Sequence, residues 1–206
     1  MKRPPLGDIA DTALAVLVDA LDGLEAAGTT HWLTYGTLLG LVRDGAMLPH
    51  DHDIDIAILA GSDPARIREA MAERGFVQVS EQHDRQGPAK QKFQRDLVLI
   101  DLFFVQPSQP FWLDHGSLRK HSEMFGSHLP VTVETSRFGG VDVPVPRETE
   151  AYLAHLYGPR WRTPVRQWHW VLSPPNVELH LHWTDAIWLW RERGRWRRRL
   201  ARDARA

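Results

Sequence analysis

Residues Tyr35 to Ile56 read Y-G-T-L-L-G-L-V-R-D-G-A-M-L-P-H-D-H-D-I-D-I. A strand, Trp32 to Tyr35, is expected to lead into a Gly-Thr turn, then a short apolar helix over Leu38 to Val42, a loop closed by Pro49, and a β-branched strand with a carboxylate at every second position. Gly36 lets backbone approach an oxyanion closely, the hydroxyl of Thr37 and the following amides can donate to it, and the next helix aims its N-terminus the same way. Asp51, Asp53 and Asp55 supply hard oxygen ligands. If Asp53 to Leu59 is extended, side chains two apart share a face with Cα atoms about 6.5 to 7 Å apart, so two carboxylates can converge on one cation. Magnesium fits best, with manganese as the substitute. A Gly-Thr pair alone is a common turn and Asp-x-Asp alone a common solvated edge. Joined at this spacing, they specify a place for a phosphate and a metal together.

Downstream, Leu97-Val98-Leu99-Ile100-Asp101-Leu102-Phe103-Phe104-Val105 is nearly all apolar and is expected as a central strand buried on both faces. A carboxylate inside it must meet a cation, several donors or a site opening, since burying it unpaired costs several kcal/mol. Asp101 is then either half of a structural ion pair with an arginine or a third carboxylate beside Asp-x-Asp, completing the metal site or taking a proton. Mutual repulsion of these carboxylates should strain the metal-free site, and Asp101→Asn should relieve it. Arg43, at the end of the short helix, can bind phosphate or pair with a nearby aspartate. Lys90 and Lys92 lie where a polar loop over Glu81 to Lys90 returns to the sheet, and are either solvated or phosphate-binding.

The run Tyr35-Gly36-Thr37-Leu38-Leu39-Gly40, with Arg43, Gly45, Pro49 and Asp51-His52-Asp53-Ile54-Asp55-Ile56, resembles the LicD family of phosphotransferases, which includes fukutin-related proteins. The resemblance extends over roughly residues 30 to 165, through F-G-G-V-D-V-P-V-P and Y-L-A-H-L-Y-G-P-R-W-R-T-P, with the middle third matching only at Asp101 and its strand. Two positions depart from the family pattern: His50 stands where Trp is common and His52 where an acidic residue is frequent. The resemblance implies a nucleotidyltransferase-like fold, here an α+β domain with a mixed β-sheet flanked by helices. It implies transfer of a phospho-alcohol group (phosphocholine, glycerol phosphate or ribitol phosphate) from a CDP-activated donor to a glycan hydroxyl, in capsule or lipopolysaccharide decoration. In that reading Asp51, Asp53, Asp55 and Asp101 hold Mg²⁺, with Asp53, Asp55 and Asp101 catalytic, and Gly36, Thr37, Arg43 and Lys92 contact the donor. The same P-H-D-H-D-I-D-I run also suits an enzyme that attaches a nucleotide to a small molecule such as an antibiotic. A non-catalytic scaffold of the same fold is the third reading, which retention of all four aspartates disfavours.

Around this core, Asp8 is expected to cap a helix carrying Ala13, Leu14, Leu17, Leu21 and Leu24, and Ser62-Asp63-Pro64 to start another that ends before Gly75. A strand over Phe76 to Ser80, an irregular stretch over Pro107 to Pro130, a hairpin around Gly139-Gly140 and a helix from Glu148 to Tyr157 complete the expectation. The chain has 206 residues and no cysteine, which excludes disulfides and thiolate chemistry. No signal-peptide or membrane-spanning run is evident, so a cytoplasmic protein is expected. The net charge of −1 conceals eight Arg against Glu192 and Asp203 in residues 191–206, a tail of +6 on a body of −7. The division is therefore a domain over 1–190 and a basic tail over 191–206. That tail can bind anionic membrane, placing the protein at its inner face, or pair with the acidic body. An acidic body argues against dedicated nucleic-acid binding. Seven of the nine tryptophans lie at or beyond Trp161, as core residues or as an aromatic wall for a base or ammonium group.

Overall fold

A computed structural model describes residues 3–84, 87–105, 111–115, 118–122, 132–165 and 177–180, with 190 and 194. In chain order, a 3-10 turn (Leu6–Ile9) runs into α1 (Ala10–Ala26), followed by β1 (His31–Leu33), α2 (Tyr35–Asp44), β2 (Asp53–Leu59) and α3 (Pro64–Glu73). Then come β3 (Val77–Asp84), β4 (Gly87–Arg95), β5 (Val98–Val105), β6 (Phe111–His115) and β7 (Leu118–Ser122). The hairpin β8 (Val133–Phe138) and β9 (Val141–Pro146), α4 (Thr149–Tyr157) and β10 (Val177–His180) complete the described elements.

Five strands form the main sheet in the order β1-β2-β5-β4-β3. β2 pairs with β5 in parallel, while β1 with β2, β5 with β4 and β4 with β3 are antiparallel, so the sheet is mixed and the domain α+β as expected. All eight residues of β5 are buried, which is what its apolar run demands of a central strand. Alternation then gives the sheet two unlike faces. Ile54, Ile56 and Ile58 of β2 and Ile100 and Leu102 of β5 are fully buried. They share one core with Leu17 and Leu24 of α1 and Ile67 and Met71 of α3. The other face carries Asp53, Asp55, Asp101, Lys90 and Lys92, and there the site is built.

Several local expectations change. Asp8 lies inside the 3-10 turn, and the N-cap of α1 is Ile9, which makes no side-chain cap bond. The first strand ends at Leu33, and α2 starts at Tyr35, so Gly36 and Thr37 belong to the helix's first turn instead of preceding it. The polar residues after Ser80 continue β3 and open β4, where a loop is expected from composition. Glu81 holds that edge together by accepting bonds from Arg68, Gln78 and Gln91 and pairing with His83, which press its carboxyl down to about 2. Part of the Pro107 to Pro130 stretch forms the β6–β7 hairpin. The Asp63 cap of α3, the hairpin around Gly139-Gly140 and α4 fall where the sequence puts them. The basic tail lies outside the described residues except Gly194, as do Trp168, Trp170, Trp183, Trp188 and Trp196. Trp161 is buried and Trp190 is exposed. Among the described residues, no helix is long and apolar enough to cross a membrane.

Gly40 fixes how α2 returns to β2. A Cβ there would lie 2.5 Å from the carbonyl oxygen of Ala46 and 3.1 Å from the amide of Leu48, both backbone. Gly40→Ala should therefore cost about 2 to 3 kcal/mol through overpacking. Thermal unfolding would read this as a fall of roughly 4 to 12 °C.

Candidate metal and phosphate site

Register decides which charges meet. Asp55 of β2 sits opposite Asp101 of β5, and Asp101 in turn sits opposite Lys92 of β4, so all three project from one face. Asp53 and Lys90 follow on that face two residues along their strands. One oxygen from each of Asp53, Asp55 and Asp101 lies within 4.8 Å of the others. Such a triangle of hard oxygens suits a small divalent cation. Asp101 supplies the sharper test of fit: its Oδ1 is buried without an aligned hydrogen bond. Its ammonium neighbour, Lys92 at 3.1 Å, is out of hydrogen-bond alignment, so this buried oxygen is one that a divalent cation can take.

The N-terminus of α2 borders the triangle. Thr34 is extended, and Tyr35 enters the helix at φ 42°, a left-handed conformation unusual for an aromatic residue. This turn is tied to β2 by three bonds: the Thr34 amide donates to the Asp55 carbonyl at 3.1 Å, the Asp55 amide donates to Thr37 Oγ1 at 2.9 Å, and the Gly36 amide donates to Asp55 Oδ2 at 3.2 Å. A Cβ on Gly36 would fall 2.2 Å from Asp51 Oδ2, so a larger residue would have to push the Asp51 carboxylate aside. Behind the turn, the Tyr152 hydroxyl on α4 accepts from Trp32 Nε1 at 3.3 Å and bonds Thr34 Oγ1 at 2.6 Å. The Tyr35 ring packs edge-on against Phe103, its centroid 5.0 Å away.

Two lysines balance part of the negative charge. Lys90 Nζ is bonded to Asp101 Oδ2, and lies 4.5 Å from the centre of the Phe103 ring. Lys92 Nζ is 3.1 Å from Asp101 Oδ1 and 3.9 Å from Asp53 Oδ2. The remaining carboxylates are poorly compensated. Burial, followed by the charges of Asp53, Asp51 and Asp101, pushes the Asp55 carboxyl well above its usual range. Asp53 is raised by burial and by Asp101, against the pull of Lys92 and Lys90. Asp51 is pushed up to about 7 by burial and by Asp53, despite the bond it accepts from the His52 amide.

These shifts give the metal-free protein a pH signature. A carboxyl with a raised native pKa holds a proton in the folded state that the unfolded chain has released, so its contribution to stability falls as pH rises from about 4 to about 7 for Asp51. His31, whose pKa burial lowers, slopes the other way below its ordinary 6.5. Comparison with Asp51→Asn, which keeps the acceptor for the His52 amide, cancels that opposing term. In chelator, the variant should gain on wild type between pH 5 and pH 8 by on the order of 2 to 3 kcal/mol. Paired thermal melts at the two pH values measure it.

The structure brings Asp53, Asp55 and Asp101 together, with Lys92 and the first turn of α2 beside them. Asp51 faces Gly36 and Asp53 and is not one of the converging three. Thr37 is buried, and its hydroxyl accepts from β2. Of the two roles open to Arg43, the structure shows the ion pair, with both its Nε and its NH2 group on Asp44 at 2.8 and 2.7 Å. The lysines are not solvated charges, and the cations facing Asp101 are these two lysines, where the ion-pair alternative named an arginine. Lys90 emerges as a full member of the cluster. Tyr157 on α4 is partly buried nearby, and burial, followed by the charges of Asp55 and Asp51, raises its hydroxyl pKa. The signal for Lys90 was its spacing of two from Lys92, which on a strand means the same face. Tyr157 carried only its place in the apolar pattern of α4.

A mixed α+β sheet whose parallel β2 and β5 bring three aspartates beside a helix N-terminus is a nucleotidyltransferase-like fold. The sequence model of the LicD/FKTN/FKRP nucleotidyltransferase domain matches residues 28–148, and the chain belongs to this family. Similar proteins include the human ribitol-5-phosphate transferase FKTN, 29% identical over 179 residues that cover 86% of this chain and 39% of that protein. The human ribitol 5-phosphate transferase FKRP is 28% identical over 148 residues, 66% of this chain and 29% of that one. The matches thus span well under half the length of these relatives. Among solved structures, the solution structure of the antibiotic-resistance factor ANT(2'')-Ia aligns with 80% of this chain and 81% of its own at a TM-score of 0.49 and 14% identity, a likeness without functional weight.

Proposed function

We propose that the chain is a divalent-metal-dependent transferase that moves a phospho-alcohol group from a CDP-activated donor to a glycan hydroxyl. The observation that carries this reading is the convergence of Asp53, Asp55 and Asp101, with one oxygen of each within 4.8 Å of the others. Relatives named as ribitol-phosphate transferases support the transferred group, and phosphocholine and glycerol phosphate belong to the same class by shared chemistry.

In this reading Asp53, Asp55 and Asp101 hold Mg²⁺ or Mn²⁺, and Asp51 supports them from beside Gly36. When bound, the cation neutralises charge on the transferring phosphate. Both Asp101 oxygens already face cations, which suits a ligand better than a base. The first turn of α2 orients Asp55 through Gly36 and Thr37 and places its amide end beside the donor phosphate. Lys92 contributes a mobile positive charge, and Arg43 acts on the phosphate only by leaving Asp44. The acceptor oxygen attacks the phosphorus that bears the alcohol, the bridging P–O bond to CMP breaks, CMP leaves, and the acceptor hydroxyl proton passes to solvent or a neighbouring carboxylate. Surface-polysaccharide or lipopolysaccharide decoration at the cytoplasmic face of a membrane is the setting this reaction implies.

The test is a panel of CDP-choline, CDP-glycerol and CDP-ribitol, alongside ATP and CTP, each with Mg²⁺. Release of CMP from one CDP-alcohol, abolished by chelator, is the expected result. Pyrophosphate release from a nucleoside triphosphate, with none of the CDP-alcohols consumed, would overturn it in favour of nucleotide transfer.

A further inference from the structure

The two lysines of β4 approach the same carboxylate in different ways. Lys90 is bonded to Asp101 Oδ2, is 16% exposed and is stacked against Phe103, so it is held on two sides. Lys92 is 25% exposed and spans two aspartates at 3.1 and 3.9 Å, and the Asp101 oxygen it faces has no aligned hydrogen bond. It sits where charge is needed without being fixed there. The two oxygens it touches belong to two of the three residues that converge as cation ligands. The four carboxyl groups outnumber the two ammonium groups, an imbalance that a divalent cation offsets.

We propose that Lys92 is a displaceable internal counter-ion, which holds Asp101 and Asp53 while the metal is absent and is released toward the donor's phosphate when a divalent cation takes their oxygens. Metal entry and phosphate capture are thereby coupled: the cation frees a positive charge for the phosphate, and the phosphate, by holding that charge, keeps it from competing for the ligands. Linkage makes the coupling reciprocal, so pyrophosphate should tighten metal binding by the factor by which metal tightens pyrophosphate binding. Lys90, locked between Asp101 and Phe103, stays in place as the permanent partner of Asp101. The inference rests on the reading of the site as a metal and phosphate site.

The experiment titrates Mn²⁺, then inorganic pyrophosphate with and without Mn²⁺, into the full chain by calorimetry, for wild type, Lys92→Gln, Lys92→Arg and Lys90→Gln, with a thermal melt of each to establish folding. Removing a competing charge 3.1 and 3.9 Å from two ligands should tighten Mn²⁺ binding by Lys92→Gln about tenfold and reduce the enhancement of pyrophosphate binding by Mn²⁺ to what the cation alone supplies, about tenfold below wild type. Lys92→Arg should restore both to near wild type. Lys90→Gln should melt at lower temperature and keep the enhancement. Unchanged or weaker Mn²⁺ binding by Lys92→Gln, or an enhancement as large as that of wild type, would overturn the proposal while leaving the metal reading intact. Failure of wild type to bind Mn²⁺ would overturn both.

Discussion

Asp55→Asn should raise the melting temperature of the metal-free protein, erase its response to Mn²⁺ and stop transfer. Asp55 is poorly compensated: burial and then Asp53, Asp51 and Asp101 all oppose its charge, against the pull of Lys90 and one bond from the Gly36 amide. The amide keeps an oxygen to accept from the Gly36 amide, and its NH₂ group faces carboxylates that can accept from it. Removing one charge from such a group relieves repulsion worth about 1 to 3 kcal/mol near neutral pH. At this chain length that is roughly 2 to 12 °C. Wild type with Mn²⁺ at 100 times its Kd should gain about 2.7 kcal/mol, and the variant close to none. Transfer should fall at least about a thousandfold, equivalent to about 4 kcal/mol of lost transition-state stabilisation. A variant that melts lower than wild type in chelator would show that the Asp55 charge stabilises the fold.

Asp101→Asn should do the reverse to stability and the same to transfer. From the sequence alone Asp101 is one more repelling carboxylate, and its neutralisation is expected to stabilise the metal-free protein. The structure overturns that expectation, because Asp101 is buried with Lys90 on one oxygen and Lys92 on the other. Neutralising it leaves two ammonium groups short of their partner. Loss of one member of a buried pair costs 3 to 5 kcal/mol, and the partial exposure of both lysines, with Asp53 within reach of Lys92, brings this to about 2 to 3 kcal/mol. A fall of roughly 4 to 12 °C in chelator is expected, with a reduced Mn²⁺ response and near-total loss of transfer. Thermal melts of the two variants side by side should therefore move in opposite directions from wild type.

That contrast marks where sequence reading stops. Asp53 and Asp55 were legible because a period of two on a β-branched strand fixes a common face, and Asp101 because a lone carboxylate in a nine-residue apolar run needs a cation or a site. Both arguments are local. The lysines depend on the register of β4 against β5, a pairing set by the two-residue turn at Asp96-Leu97, where Asp96 takes a left-handed φ of 51°, and the polar composition from Glu81 onward concealed that a strand was there. Tyr35 was read as the end of a strand, and its left-handed backbone at the helix start is held by the bonds from the turn to β2. Arg43 could go either way in sequence, and Asp44, its immediate neighbour, holds it in the fold.

Stoichiometric Mn²⁺ binding, followed by loss of the free-ion electron paramagnetic resonance signal, tests the account most directly, because the convergence of Asp53, Asp55 and Asp101 is its centre. The account predicts one ion per chain for wild type and none for the Asp53→Asn, Asp55→Asn double variant, with the fold of that variant verified by its melt in chelator. No binding by wild type, or an undiminished ion in the folded double variant, would contradict it.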